Sequence, residues 1–346
     1  MEERKLELVV TSIHKIDLSE NEVSETELSN DDTDFYKYIR GSINEVSLAS
    51  GGRKYRLRSD NTEVVNVLLS NLSGGEKFDS TIPKRLLREE INVQAKIARM
   101  NREINEGLLI VSIIVDNDVK KAVVCKVEDL QFINKVNLKL DSGYPIKRKI
   151  FRSAQFILDK ENEITDIIVH DLNSKGATYW WDDFLELDEL WDDNYNTKTA
   201  FHNIDTKVLS KIKKESVSDH TYLRNATIRY FRTSKEFSIE KFIDDCFEGY
   251  NPVEPDKVDI EEIKKSIRSL PQKFDFDERF DLKPAEITAK IKSTIHLTDE
   301  IDLVIKDEID IENTISSEMI ANKKYLRIRS DEGYEAFNRI KKQRNK

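Results

Sequence analysis

The chain has 346 residues, 38% apolar and 35% charged, with a formal net charge of −10. That length accommodates two domains, or one large domain with an appendage, and supplies enough apolar material for a sizeable core. No apolar run approaches the ~20 residues of a membrane span, and the opening MEERKLELVV lacks the apolar stretch and small-residue cleavage site of a secretory signal. A cytoplasmic protein without a membrane partner is therefore expected.

The elements read as follows in chain order. LELVVTSIH (6–14) alternates as a strand, and an acidic connection follows it. Asp31-Asp32-Thr33 signals the start of a helix over FYKYIRGSINEVSLA, which Gly51-Gly52 ends. Lys54–Arg58 is a short strand, and Asn61/Thr62 opens a helix through Leu72. Ser73-Gly74-Gly75 is a loop without the Gly-Lys-Ser/Thr of a phosphate-binding loop. Pro83 suits the start of a long helix over 84–104. On it Leu86, Val93, Ile97, Met100 and Ile104 form an apolar stripe beside a stripe of Arg85, Arg88, Asn92, Lys96 and Arg99.

Gly107–Val127 organises the rest. Leu108–Val115 is almost wholly apolar and rich in β-branched residues, Asp116-Asn117-Asp118 supplies a turn, and Val119–Val127 runs back. This predicts a hairpin buried on both faces. Strand-like stretches at 132–140, 149–158 and 164–170 complete a largely antiparallel sheet of about five strands. From Ala177 the pattern becomes helical, with helices expected over 187–217, over 219–232, after a Ser238 cap and over 256–270 before Pro271. Strands return at 294–307 and 323–330, and a last helix covers 332–342. The fold expected is α+β: a central sheet around the 107–127 hairpin, a mainly helical section, and a C-terminal strand-strand-helix segment. The domains expected are 1–175 and 176–346. Cys125 falls in a strand and Cys246 in a helix, so both read as reduced core thiols.

Catalytic motifs fail where they are tested. Asp116 or Asp118 followed by Val124-Cys125-Lys126 is near a metal-nuclease pattern, but Val124 stands where the second carboxylate belongs. The acidic run Asp182, Asp183, Glu186, Asp188, Glu189, Asp192 and Asp193 lacks the ligand spacing of a cation loop and reads as a solvated helix face or a docking surface for a basic protein. His14, His170, His202, His220 and His296 are scattered, and no serine sits in a Gly-x-Ser-x-Gly elbow. No catalytic residue, cofactor or metal is expected.

Charge segregation is the informative feature. Residues 1–50 carry −7, 51–160 carry +7, 161–200 carry −9 and 201–346 carry −1, with +6 on 323–346. Basic patches against an acidic total suit a polyanionic partner. The candidates are Arg85, Arg88, Lys96 and Arg99; Lys147, Arg148, Lys149 and Arg152; Lys54, Arg56 and Arg58; and Arg327 and Arg329, each also readable as an ordinary solvated face. KYRLRSD and KYLRIRSD echo each other, and each precedes a helix.

The order of features resembles the 37-kDa nucleoid-associated proteins of bacteria, the NdpA family. The resemblance rests on VVTSIH ending at His14, on FYKYIRGSINEV followed by KYRLRSDNTEVVNVL, on the hairpin, on the aromatic segment ending Asp183-Phe184-Leu185, and on the strands from Ile295 to Ile328. It implies a non-enzymatic, DNA-associated protein of the nucleoid, linked to chromosome organisation and to type II topoisomerases. Two alternatives stand beside it: an adaptor whose acidic segment docks a DNA enzyme such as a type II topoisomerase, and a DNA-sensing component of anti-phage defence. A homo-oligomer is left open.

Overall fold

Alternation of apolar and polar residues carries Leu6–Asp17 into a twelve-residue strand (β1), and Glu22–Thr26 (β2) returns on it antiparallel. The computed structural model of the chain describes residues 5–28, 33–72, 77–100, 103–146, 150–171, 178–291, 293–298, 300–305 and 311–344. The Thr33 hydroxyl accepts the Tyr36 N–H at 3.1 Å and starts α1 (Asp34–Leu48). Its Ile39, Ile43 and Val46 recur at helical spacing and are buried. Next come β3 (Arg53–Leu57), α2 (Glu63–Leu72) and α3 (Thr81–Ile97).

The hairpin is β4 (Gly107–Asp116) and β5 (Val119–Glu128). Asn117 and Asp118 both take positive φ, 49° and 67°, the backbone of a tight two-residue turn matched to strand twist. At the other end of β4, a Cβ on Gly107 would lie 2.0 Å from the Val127 carbonyl oxygen, so only glycine admits the pairing there. Among the described residues β6 (Leu130–Ile133) and β7 (Leu140–Gly143) pair only with each other. β8 (Ile150–Leu158), β9 (Ile164–Asp171) and β10 (Leu187–Glu189) return to the main sheet.

That sheet has eight strands in the order β10-β3-β9-β8-β5-β4-β1-β2, every neighbour antiparallel. Of the five strands expected in it, β4, β5, β8 and β9 are present and 132–140 is not. β1 and β3, expected as strands but not placed in this sheet, join it, as do the unforeseen β2 and β10, which are short and lie in acidic stretches. Period-two alternation splits the hairpin between two cores. Leu108, Ile110 and Ile114 face α1 with Val123 and Cys125, while Leu109, Val111 and Ile113 face a cluster containing Leu68, Leu86, Trp180 and Phe184. Leu109, Ile110 and Val111 are all fully buried, each stabilising the fold by roughly 1.5–3 kcal/mol relative to exposure.

Later elements are α4 (Asp193–Asn203), α5 (Ser210–Glu215), α6 (Val217–Thr233), β11 (Glu236–Ser238), α7 (Ile239–Phe247), α8 (Ile260–Arg268), α9 (Leu270–Phe274) and β12 (Arg279–Asp281). They end with β13 (Ser293–Thr298), β14 (Ile301–Ile305), α10 (Ile311–Thr314), β15 (Ile315–Ile320), β16 (Lys323–Ile328) and α11 (Asp331–Arg344). The fold is α+β.

Several boundaries differ from the sequence reading. Residues 132–140 are not one strand but the end of β6, a tip and the start of β7. Residues 187–189 are strand rather than helix, because they pair with β3. Pro271 lies at the start of α9 instead of merely closing the preceding helix. The long helix stops at Ile97, and the following turn leaves Met100 68% exposed.

The chain forms two compact units. One comprises 1–200, 235–241 and 268–283; the other comprises 201–234, 242–267 and 284–346. This partition differs from a single cut after 175, since two late segments join the sheet unit. The second unit packs Phe201, Tyr230, Phe231 and Phe242 edge to face. The Asp219 carboxylate accepts from the Tyr250 hydroxyl and the N–H groups of Val253 and Glu254. Cys125 and Cys246 are free, buried thiols. Among the described residues no helix is long and apolar enough to cross a membrane.

Candidate nucleic-acid interface

The basic stripe expected on α3 divides into two kinds of residue. Arg85 faces inward with Ile82, Leu86 and Glu90. Its guanidinium donates to the carbonyls of Asp183 at 2.6 Å and Phe184 at 2.8 Å, and to the Glu63 carboxylate at 2.6 Å. The hydrogen bond from Arg85 holds the Glu63 carboxyl below the ordinary range. Arg85 thus satisfies carbonyls at the end of a π-helical turn (Trp180–Phe184) and anchors the start of α2. Arg88 is exposed but pairs with Glu89 at 2.9 Å and Glu63 at 3.4 Å. Lys84, Lys96 and Arg99 are exposed, and no ion pair among the described residues engages them.

The strand patches are similarly divided. Lys54 and Arg56 project opposite buried Tyr55, as alternation requires. Lys54 Nζ lies 3.3 Å from Asp166 and over the Trp191 ring, whereas Arg56 is exposed. Arg58, just past β3, is held by Asp182 and Asp188 and donates to the Leu187 carbonyl. Arg152 is buried against Glu128 at 2.7 Å, with Asp171 at 3.7 Å and the Tyr179 ring beneath it. Arg327 pairs with Glu318, while Arg329 is exposed. Lys147, Arg148 and Lys149 lie outside the described residues. Arg85, Arg152 and Arg58 are therefore withdrawn as phosphate contacts: burial or internal carboxylates occupy their charges.

The acidic run supplies many of those carboxylates. Asp182 and Asp188 hold Arg58, Glu186 lies 3.3 Å from Arg85, and Asp193 pairs with Lys283. Glu189 and Asp193 flank Arg53 at 3.0 and 3.2 Å, joined by buried Asp277 at 3.5 Å. Burial pushes the Glu189 and Asp277 carboxyls up. Asp277 also accepts from the Lys54 N–H and the Asn196 amide. The segment is largely an internal counter-ion set, contrary to its reading as a solvated face or docking surface.

The sequence reading missed a charged cluster within the core. Alternation places Lys126 on the α3 side of β5, fully buried, where it donates to Glu90 and to the Asn105 carbonyl at 2.7 Å each. The Tyr179 hydroxyl donates to the same Glu90 oxygen at 2.9 Å. A lysine in the middle of an apolar strand was the available signal. The nuclease-like pattern is not assembled: Asp116 opposes Val119 and Lys126 opposes Leu109, toward opposite ends of the hairpin, separated by ~20 Å at strand rise.

Burial pushes the pKa of His170 on β9 down to about 4, outweighing the opposing influence of the Ala49 and Ser50 backbone beside it. An unfolded imidazole titrates near 6.5, so between these values the unfolded chain binds the extra proton. The stability associated with neutral His170 is present above about pH 6.5 and falls as pH drops toward 4, by on the order of 3 kcal/mol at most. His170→Met is expected to flatten this part of the stability–pH curve in urea melts; an unchanged slope contradicts the assignment.

Where α3 ends, a cleft of about 670 Å³ is lined by Gln94, Asn105, Glu106, Asp129, Leu130 and other residues. Glu106 accepts from the N–H groups of Leu18 and Ser19. Burial and neighbouring Glu106 raise the Asp129 carboxyl. The cleft itself is acidic. Gln94 near the end of α3 and Leu130 and Gln131 at the root of the β6–β7 ribbon lie on its borders.

Searched against models of known families the chain matches none, and no curated protein sequence matches it.

Proposed function

We propose that this is a non-enzymatic DNA-associated protein, of the kind represented by the 37-kDa nucleoid-associated proteins it resembles, contacting backbone phosphates with little sequence readout. The observation carrying this reading is the set of cations that internal pairing leaves over around α3 and the β6–β7 ribbon. Lys96 and Arg99 are exposed at and just past the end of α3, and Lys135 and Lys139 are exposed on the ribbon whose root, Leu130 and Gln131, shares a cleft with Gln94. The ribbon's acid, Asp141, accepts from the Asn134 amide. Such cations meet a polyanion without breaking the internal ion pairs described above. Five acids of the run are engaged by cations within the chain, leaving chiefly Asp183 and Asp192 to a basic partner, which counts against the adaptor reading.

The test is a salt-titrated mobility shift on single- and double-stranded DNA, with and without magnesium. Affinity for duplex is expected to fall linearly on a log–log plot, with a slope of about −0.9 per phosphate neutralised. Lys96→Glu/Arg99→Glu should weaken binding to unrelated duplexes to the same degree. Absence of a shift at low salt refutes direct DNA binding, and magnesium-dependent cleavage refutes the non-enzymatic reading.

A further inference from the structure

The β6–β7 ribbon extends from the sheet unit without joining the eight-stranded sheet, and its end is unusually apolar for an exposed turn. Val136 is 85% exposed and Leu138 76%, with Ile133 and Leu140 also exposed behind them. Scattered surface aliphatics need no explanation, but these cluster on one projection, with Val136 and Leu138 between Lys135 and Lys139. The tip is also closed by its own hydrogen bonds. Asn134 N–H donates to the Lys139 carbonyl at 2.9 Å and Leu138 N–H to the Asn134 carbonyl at 2.8 Å. The Asn134 and Asn137 side chains accept from the N–H groups of Val136 and Lys139. Within this frame Leu138 is held at φ 55°, a left-handed conformation that a bulky residue seldom adopts. An exposed apolar residue is thus carried on a turn whose backbone is held by its own hydrogen bonds, at a backbone cost.

We propose that the β6–β7 ribbon is a DNA-bending arm, whose Val136 and Leu138 wedge between base pairs from the minor groove while Lys135 and Lys139 contact the flanking phosphates. This rests on the DNA-binding reading above and adds how the duplex is deformed. Charge selects the occupant: Lys135 and Lys139 are exposed at the tip, and the ribbon's acid, Asp141, lies behind them and accepts from the Asn134 amide at 3.2 Å. Apolar wedges flanked by cations are a general device for unstacking a base step and kinking the duplex by roughly 20–90°. Flexible pyrimidine–purine steps should be preferred, since they unstack most readily.

The test uses the full chain and a 30-base-pair duplex carrying donor and acceptor dyes at its ends. Wild type is expected to shorten the end-to-end distance on binding. Val136→Asn/Leu138→Asn keeps every charge, and asparagine tolerates the left-handed backbone at 138, so folding should persist. This variant should retain the salt slope of binding but lose the bend. Lys135→Glu/Lys139→Glu should lower the slope by about 2. If wild type binds without bending, or the asparagine variant bends as wild type does, the arm proposal fails while DNA binding stands. If wild type does not bind duplex, both fail. Co-sedimentation with phosphatidylserine vesicles that depends on Val136 and Leu138, without a DNA bend, overturns the arm in favour of a membrane wedge.

Discussion

Lys126→Met is expected to lower the free energy of unfolding by about 3–5 kcal/mol, read as a fall in the urea midpoint at unchanged m-value. The lysine and Glu90 are both fully buried, 2.7 Å apart. Removing the ammonium leaves a carboxylate in the core with only the Tyr179 hydroxyl for support, while one Glu90 oxygen already has no hydrogen-bond partner. The Asn105 carbonyl also loses its donor. Lys126→Met/Glu90→Gln removes the orphaned charge and keeps an acceptor for Tyr179, so it should recover a large part of the loss. If Lys126→Met melts within about 1 kcal/mol of wild type, the ammonium is not desolvated as described. The pair itself need not be a net stabiliser, since well-packed apolar replacements of buried ion pairs are often neutral or better.

Arg85→Glu should be at least as severe, costing upward of about 4 kcal/mol or abolishing soluble protein. It places a carboxylate beside Glu63 and Glu186 and strands the carbonyls of Asp183 and Phe184. Lys96→Glu/Arg99→Glu, on the exposed side of the same region, should change stability by no more than about 1 kcal/mol while weakening DNA binding. The two variants separate structure from function along one stretch of chain. Wild-type melting of Arg85→Glu would contradict the inward placement of that side chain.

Part of this was legible from the sequence. The hairpin was readable because an apolar β-branched run, a polar turn and a second run leave few alternatives. α1 was readable from Thr33 and the spacing of Ile39, Ile43 and Val46. The short strands β2 and β10 were not, because their pairing with β1 and β3 outweighs local composition. Arg85 and Lys96 look alike on a helical wheel. What separates them is whether another segment covers that part of the helix, and the covering residues come from 183–186, almost a hundred positions later. The acidic run was read as surface for the same reason: its cationic partners are distant in sequence. The ribbon tip was hidden inside FINKVNLKL, whose apolar pattern suits a strand until Asn134 and Asn137 are recognised as turn formers.

The clamp formed on Arg53 and the Lys54 amide by Asp277 has a consequence for biosynthesis. A ribosome must translate more than two hundred residues after β3 before it delivers this carboxylate, along with the Arg279 and Phe280 that pair with Glu236 and Phe237. Until then the emerging sheet lacks one of its fasteners: Arg53 can meet Glu189 and Asp193, but the Lys54 N–H has no Asp277 carboxylate to accept from it. A nascent chain therefore cannot complete its first-made domain as it appears. That domain closes only after the intervening helices have been synthesised.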